Sequence, residues 1–247
     1  AVGGKEHRMI GQHMIDLIRR LPTPAHRVLA AIFKRVVLLR LTLYRSGYLK
    51  QHRSQAFTIS VGNITVGGTG KTPLVEYVAS FLLGEGYQPS ILSRGYGAHK
   101  HEPVVLVSDG KSTLADTDVA GDEPIMLAHH LPGVIIAVAA DRAAAAHWIE
   151  TRFHPDVHIL DDGFQHLSLA RDIDFLLIDA LDPFGDEQVV PLGRLREPLH
   201  EIARATAVVV TRADRPFDHA LLEHRLRSIA GEIPIFYSFH EVAEVVN

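Results

Sequence analysis

Between residues 56 and 238 the chain alternates short β-branched apolar runs with longer stretches in which apolar residues recur at helical spacing. The runs 56–61, 89–93, 103–107, 134–139, 157–161, 173–179, 206–211 and 234–238 predict eight strands. The segments 72–84, 121–130, 142–152, 197–204 and 218–229 predict the helices between them. Short, near-continuous apolar strands separated by helices predict a mostly parallel sheet covered on both faces. Ligands of such sheets bind beyond the carboxyl ends of the strands, so chemistry is sought there. The chain shows no internal repeat and no low-complexity tract.

Ahead of the first strand, residues 25–49 predict one helix, with Val28, Leu29, Ile32, Val36, Leu39 and Leu43 at helical spacing. Arg27, Lys34 and Arg45 fall close together on its wheel, and Arg40 lies far round from them. Its apolar runs are too short to cross a bilayer, for which about 20 residues are needed. Such a helix either lies in a membrane interface or packs its apolar face on the domain and solvates its arginines. Charge sharpens the choice. From Leu17 to Val75 there are ten basic residues and no acid in a chain of net charge −4, so the remainder carries −14. That asymmetry suggests an anionic surface, membrane or nucleic acid.

The composition is that of an ordinary soluble protein, 47% apolar and 22% charged over 247 residues. This is enough for one large α/β domain, or one domain and part of a second. The absence of cysteine excludes disulfides, thiolate metal sites and a cysteine nucleophile. No signal-peptide pattern is present. The chain opens at Ala1 without a methionine, so its natural start is expected upstream.

Strand 56–61 runs into Gly67-Gly68-Thr69-Gly70-Lys71-Thr72. A strand, a glycine-rich turn ending in Gly-Lys-Thr and a helix make a phosphate-binding loop, whose backbone N–H groups surround a polyphosphate. Lys71 reaches the β- and γ-phosphates and the Thr72 hydroxyl is placed to ligate Mg²⁺. Thr65 stands where the commonest pattern has its first glycine, and Gly67-Gly68 is the doubled glycine of a variant used by kinases and dimeric ATPases. Thr65 and Val66 complete the nucleotide-binding run 65–72. The alternative for these glycines is a turn without a ligand.

Strand 157–161 ends in Asp161-Asp162-Gly163, the position from which an acid holds Mg²⁺ or its waters in P-loop enzymes; an Asx turn is the plainer reading. Asp122, in Gly121-Asp122-Glu123-Pro124, reads on spacing as a helix cap. Arg142, just past strand 134–139, either steadies phosphate charge or pairs with Asp141, and the pattern favours the pair. Ser93-Arg94-Gly95-Tyr96-Gly97 and Gly193-Arg194-Leu195-Arg196-Glu197-Pro198 place arginines in glycine-containing loops on the ligand side, suiting an anionic acceptor. The sixteen histidines show no metal-site spacing, and His99, His101, His129 and His130 are expected in solvent.

Taken in order, five segments resemble the tetraacyldisaccharide 4′-kinases of lipid A synthesis. They are Val61-Gly62-Asn63 with the loop through Pro73, Ser93–Gly97, Gly121–Pro124, Asp161-Asp162-Gly163-Phe164-Gln165-His166, and Gly193–Glu197. Leu169-Ala170-Arg171-Asp172 also fits, and the likeness covers roughly residues 25–215.

The resemblance implies an α/β, P-loop NTPase-like fold with a mostly parallel sheet flanked by helices. Residues 1–55 would form a basic, helical, membrane-contacting segment and 56–247 the kinase domain. It implies ATP and Mg²⁺ as cofactors, and transfer of the γ-phosphate to the 4′-hydroxyl of a tetraacylated glucosamine disaccharide 1-phosphate. The setting would be the cytoplasmic face of the inner membrane, with no nucleic acid as partner and the oligomeric state left open.

Asp122 would then assist deprotonation of the acceptor hydroxyl, with Thr72, Glu123, Asp161 and Asp162 around the metal. Gln165 and His166 would line the site, and Lys71, Arg142 and Arg194 would act on the transferring phosphoryl group or the acceptor's phosphate. Family members continue into a C-terminal lobe with Asp-His-His and Thr-Glu-Lys-Asp motifs that this sequence lacks. A doubled-glycine ATPase or GTPase switch, or a fragment that binds nucleotide without turnover, stands as the alternative.

Overall fold

The computed structural model describes residues 23–95 and 102–239. Tyr96, Gly97, His99, His101 and His240 lie outside the described residues. One eight-stranded sheet carries the fold: β1 (Phe57–Asn63), β2 (Pro89–Ser93), β3 (Val104–Asp109), β4 (Ile135–Ala139), β5 (Val157–Asp161), β6 (Ile173–Asp179), β7 (Ala207–Thr211) and β8 (Ile235–Tyr237). Their spatial order is β3-β4-β2-β5-β1-β6-β7-β8. Every neighbouring pair is parallel except β3 with β4, which run antiparallel with a bulge between Leu106 and Ser108.

Helices cover both faces because the interior strands are apolar on both. On one face α2 (Lys71–Gly84) and α4 (Asp122–His130) close over Val61, Ile91, Ile136, Ile159 and Leu177. On the other, α5 (Arg142–Phe153) lays Ala145, Ala146 and Ile149 on Leu92 and Leu160. Farther along that face, α6 (His219–Ala230) lays Leu222 and Leu226 against Val208 and Val210. One turn, α3 (Thr117–Ala120), precedes α4 and is capped by Asp116, which accepts from the Val119 amide at 3.1 Å. The segment expected as a helix over 197–204 is a 3-10 helix, Leu199–Arg204.

The N-terminal helix α1 spans Thr23–Arg45, and the apolar stripe read from its sequence is not the face it packs. Ala30 and Leu41 are buried, and Ala30 and Phe33 join the core beside β6 and β7. Val28, Val36 and Leu39 are each 60% exposed and Ile32 is 51% exposed. The helix therefore has two apolar faces, one docked and one open. No helix among the described residues is long and apolar enough to cross a membrane.

Two contacts tie α1 to the domain, and a third anchors the link that follows it. Arg45 pairs with buried Glu201 at 2.7 Å, and Arg40 donates to the Gln165 carbonyl at 3.0 Å. Downstream, the Glu150 carboxylate accepts from the Ser54 hydroxyl and from the Gln55 and Ala56 amides, anchoring the link into β1.

Candidate active site: a phosphate cradle and an arginine-lined cavity

At the carboxyl end of β1 the chain turns through 64–70 into α2. Gly70 takes the left-handed conformation (φ 77°) at the helix start and no side chain caps it, so the first N–H groups of α2 face the loop. A second segment braces the loop from outside. Thr65 bridges to Leu195, Val66 N–H donates to the Arg194 carbonyl at 2.8 Å, and Arg196 N–H donates to the Ile64 carbonyl at 2.7 Å. Gly67 has φ 123°, a backbone that strains any side chain, and a Cβ there would displace the end of Arg194, 2.7 Å away at Nη2.

The cradle opens on a cavity of about 410 Å³ lined by the loop from Gly67 to Pro73 together with Ser93, Arg94, Glu123, Asp161, Asp162 and Arg196. Lys71 crosses it, with Nζ 3.3 Å from Asn63 Oδ1 and 3.6 Å from Asp162. Asn63 in turn donates to the Thr65 carbonyl at 2.7 Å, which ties the lysine to the strand that delivers the loop.

The two adjacent aspartates differ. Asp161 ends β5, is buried, and accepts from the Ser93 hydroxyl at 3.0 Å. Burial, with Glu123 and Asp162 adding to it against Ser93 and Lys71, raises its carboxyl to about 6. Asp162 has φ 52° and both its oxygens accept from Arg196 Nη1, at 3.0 and 2.9 Å. Burial opposes its charge too, but Lys71 and then Arg196 outweigh burial and hold that carboxyl below its usual range.

The donor set fits Mg²⁺. Asp161 is a buried carboxylate whose charge is opposed by two neighbouring acids, and Thr72 and Glu123 add hard oxygens on the same cavity wall. Among the described residues no group of three or more acids or histidines forms a closed metal site. The Thr69 hydroxyl, buried and without a partner in the protein, is a further polar atom in the loop that a phosphate oxygen can satisfy.

A second cavity of about 600 Å³ adjoins the first, and Arg94, Asp162 and Arg196 line both. Its other walls include Phe33, Val37 and Arg40 of α1, with Arg142, Gln165 and His166. Arg142 is buried, and its Nη2 donates to the Asp161 carbonyl at 3.3 Å. Asp141 also caps α5 by accepting from the Ala143 and Ala144 amides. Gln165 donates to the Asn63 carbonyl at 2.9 Å. His166 Nε2 lies 3.3 Å from the Arg142 amide and 2.8 Å from the Ser168 hydroxyl. Burial and the Arg142 charge push its imidazole down to about 4, so it is neutral at neutral pH. Beneath this loop Arg171 and Arg204 both donate to the Phe164 carbonyl, at 3.3 and 2.7 Å. Arg204 also pairs with buried Glu197 at 2.6 Å and Glu201 at 3.0 Å.

Three further placements refine the sequence reading. Asp122 is exposed in the first turn of α4 and does not cap it, since Gly121 occupies the cap position without a side-chain bond. Glu123, not Asp122, lines the phosphate cavity. Arg194 lines neither cavity; it donates to the Val66 carbonyl at 2.8 Å and pairs with Asp182, at the edge of the phosphate loop. Arg196, two residues on, is the arginine that reaches Asp162, and its signal was the same glycine-flanked loop. Val66 lines the second cavity and Thr65 lines neither. His129 and His130 are exposed, as expected.

Loop, lysine and strand-end carboxylates define the class: this is a P-loop protein of α/β architecture, shaped to hold a phosphate chain. The comparisons with known proteins place it more narrowly. Residues 23–243 match the LpxK family, tetraacyldisaccharide-1-P 4′-kinase, and the chain belongs to that family.

It is 45% identical over 177 residues to the tetraacyldisaccharide 4′-kinase of Pelobacter propionicus, covering 72% of this chain and 49% of that one. It is 41% identical over 210 residues to that of Desulfotalea psychrophila, covering 84% and 60%. A crystal structure of LpxK from Aquifex aeolicus in complex with ATP superposes with a TM-score of 0.71 at 34% identity, covering 85% of this chain and 62% of that one. The chain thus spans about half to three fifths of these relatives' length.

Proposed function

We propose that this chain carries the nucleotide site and most of the acceptor site of an ATP-dependent kinase. The kinase phosphorylates the 4′-hydroxyl of a tetraacylated glucosamine disaccharide 1-phosphate, the lipid A precursor. The observation that carries the reading is the pair of joined cavities. One is built around a phosphate cradle; the other is lined by Arg40, Arg94, Arg142 and Arg196 and walled by a helix with an exposed apolar face. Four guanidinium groups beside a phosphate site suit an anionic acceptor, and relatives over most of the chain bear the name of that kinase.

In this reading the loop amides and Lys71 hold the triphosphate, and Thr72, Glu123 and Asp161 hold Mg²⁺, with Asp162 supporting it through Lys71 and Arg196. When bound by these residues, Mg²⁺ would supply positive charge against the phosphates. Arg142 and Arg196 steady the phosphoryl group in transfer, and Arg194 acts at one remove by bracing the loop. Asp122 takes the acceptor's proton, which is needed only late, as the hydroxyl becomes acidic in the transition state. Such transfer depends on positioning and charge neutralisation more than on covalent catalysis.

Helix α1 is the membrane contact. Its open face presents Val28, Ile32, Val36 and Leu39, flanked by basic residues, in the manner of an interfacial helix. The setting is therefore the cytoplasmic face of the inner membrane.

The test is incubation with γ-labelled ATP, Mg²⁺ and the lipid disaccharide in vesicles. Label appearing in the lipid, and disappearing with Asp122→Ala while ATP still binds, supports the reading. ATP binding without transfer, unrescued by the remaining length found in the relatives, overturns it.

A further inference from the structure

The second cavity is walled by segments far apart in sequence: Phe33, Val37 and Arg40 of α1, Gln165-His166 after β5, and Arg196-Glu197 beyond β6. One cluster of charge joins all three. Arg204, the last residue of the 3-10 helix, donates to the Phe164 carbonyl at 2.7 Å, and its guanidinium lies 3.7 Å from the centre of the Phe164 ring. Through Nη1 it pairs with Glu197 at 2.6 Å and with Glu201 at 3.0 Å. One side chain thus holds both the residue before Gln165 and the residue after Arg196.

The cluster is completed from α1. Glu201 receives Arg204 and Arg45 on the same oxygen, Oε2, with Arg45 Nη2 at 2.7 Å. Exposed His200 stands 3.2 Å from its other oxygen. Both carboxylates are buried. Burial raises the Glu197 carboxyl, Arg204 holds it down, Glu201 raises it again and Arg40 lowers it. Two carboxylates with Arg204 alone would leave one uncompensated negative charge inside the domain, and Arg45 brings the sum to zero. A buried ion cluster is often no better for stability than apolar packing of the same volume. What this one adds is direction, in hydrogen bonds fixed between separate segments.

We propose that Arg204 and Glu201 are positioning residues of the acceptor site and that Arg45 completes them, so that the seating of α1 sets where Arg196, Gln165 and His166 stand. Arg45, Glu201 and Arg204 line neither cavity and act only through residues that do. The assignment rests on the reading of the second cavity as the acceptor site.

Steady-state transfer from MgATP to the lipid disaccharide in vesicles, by the protein carrying the further length of its relatives, tests it. Arg45→Gln leaves the cluster one charge negative and Glu201→Gln leaves it one charge positive. Each should lower kcat/KM for the lipid about tenfold at about pH 8, the worth of one hydrogen bond to a charged group, with KM for MgATP unchanged. The double variant, neutral again, should return to within about threefold of the parent. The two single variants should also answer pH in opposite directions. A proton taken up by the cluster as pH falls to about 6 restores the balance in Arg45→Gln and worsens it in Glu201→Gln, so the first loss shrinks and the second grows. A weaker hold of α1 on the vesicle would not be rescued by the second substitution. Single variants that match the parent, losses that multiply in the double variant, or losses that follow pH in one direction overturn the positioning and leave the acceptor-site reading standing. A parent that binds MgATP and transfers nothing to the lipid overturns both.

Discussion

Asp161→Asn should stabilise the protein without its ligands and destroy its response to them. The buried carboxyl stands at about 6 in place of its ordinary 3.8, burial being the main cause. Because the folded state binds this proton more tightly than the unfolded chain does, stability falls as pH rises from about 4 to about 6. The displacement is worth about 3 kcal/mol by about pH 8, set against the unfolded chain. Asparagine removes the charge, keeps the shape, and still offers an oxygen to the Ser93 hydroxyl. The metal-free variant should therefore melt above the parent at about pH 8, by ~5–10 °C for a domain of this size. The gain should shrink to about half by pH 5, where the parent's carboxyl is mostly protonated. Adding MgATP should reverse the order, raising the parent's melting temperature and not the variant's. Thermal melts at the two pH values, with and without MgATP, read all of this. A variant no more stable than the parent at high pH, or equally stabilised at both, would refute the claim that a buried charge is being held there at a cost.

Three further outcomes follow from the geometry around the site. Gly62→Ala puts a Cβ 2.5 Å from the Phe164 amide and 2.6 Å from its Cβ, so urea unfolding should show a loss of about 1–3 kcal/mol from overpacking. His166, already at about 4, should show no NMR shift of its ring protons between about pH 7.5 and 5.5. Its folded value lies below the unfolded one, so it withdraws stability only as pH falls from about 6.5 to about 4. Arg204→Ala leaves Glu197 buried and unpaired while Glu201 keeps Arg45. The expected cost is about 3 kcal/mol by denaturant titration, and Arg204→Lys should restore only part of it because it cannot hold both carboxylates and the Phe164 carbonyl.

The parallel sheet and the phosphate loop were legible because both are written locally, as β-branched runs and as glycines at a fixed spacing from Lys71. Strand direction was not: nothing in 103–107 distinguishes the one antiparallel strand from its parallel neighbours. Helix α1 misled for a clear reason. Ala30, Phe33, Val37 and Leu41 have the same helical spacing as Val28, Ile32, Val36 and Leu39, and periodicity cannot say which stripe meets the core. Arg194 and Arg196 are separated by the alternation of an extended segment, which turns one side chain to the back of the loop and the other toward Asp162. Asp122 resembled a cap because acids favour helix starts. Gly121, at φ 91°, makes the turn instead, and no local pattern reveals that. The hold of Arg204 on the Phe164 carbonyl joins residues forty apart in sequence and left no local signature.

The two faces of α1 set a distance. Phe33, Val37 and Arg40 wall the second cavity, while Val28, Ile32, Val36 and Leu39 look outward, so less than one helix diameter, ~10 Å, separates that cavity from whatever the outer face rests on. On the lipid-kinase reading proposed above, with α1 seated in a bilayer surface, that spacing would bring a sugar headgroup to the arginines while its acyl chains stay among the lipids. The helix acts as a spacer, and Arg45 and Arg40 tie it to the domain.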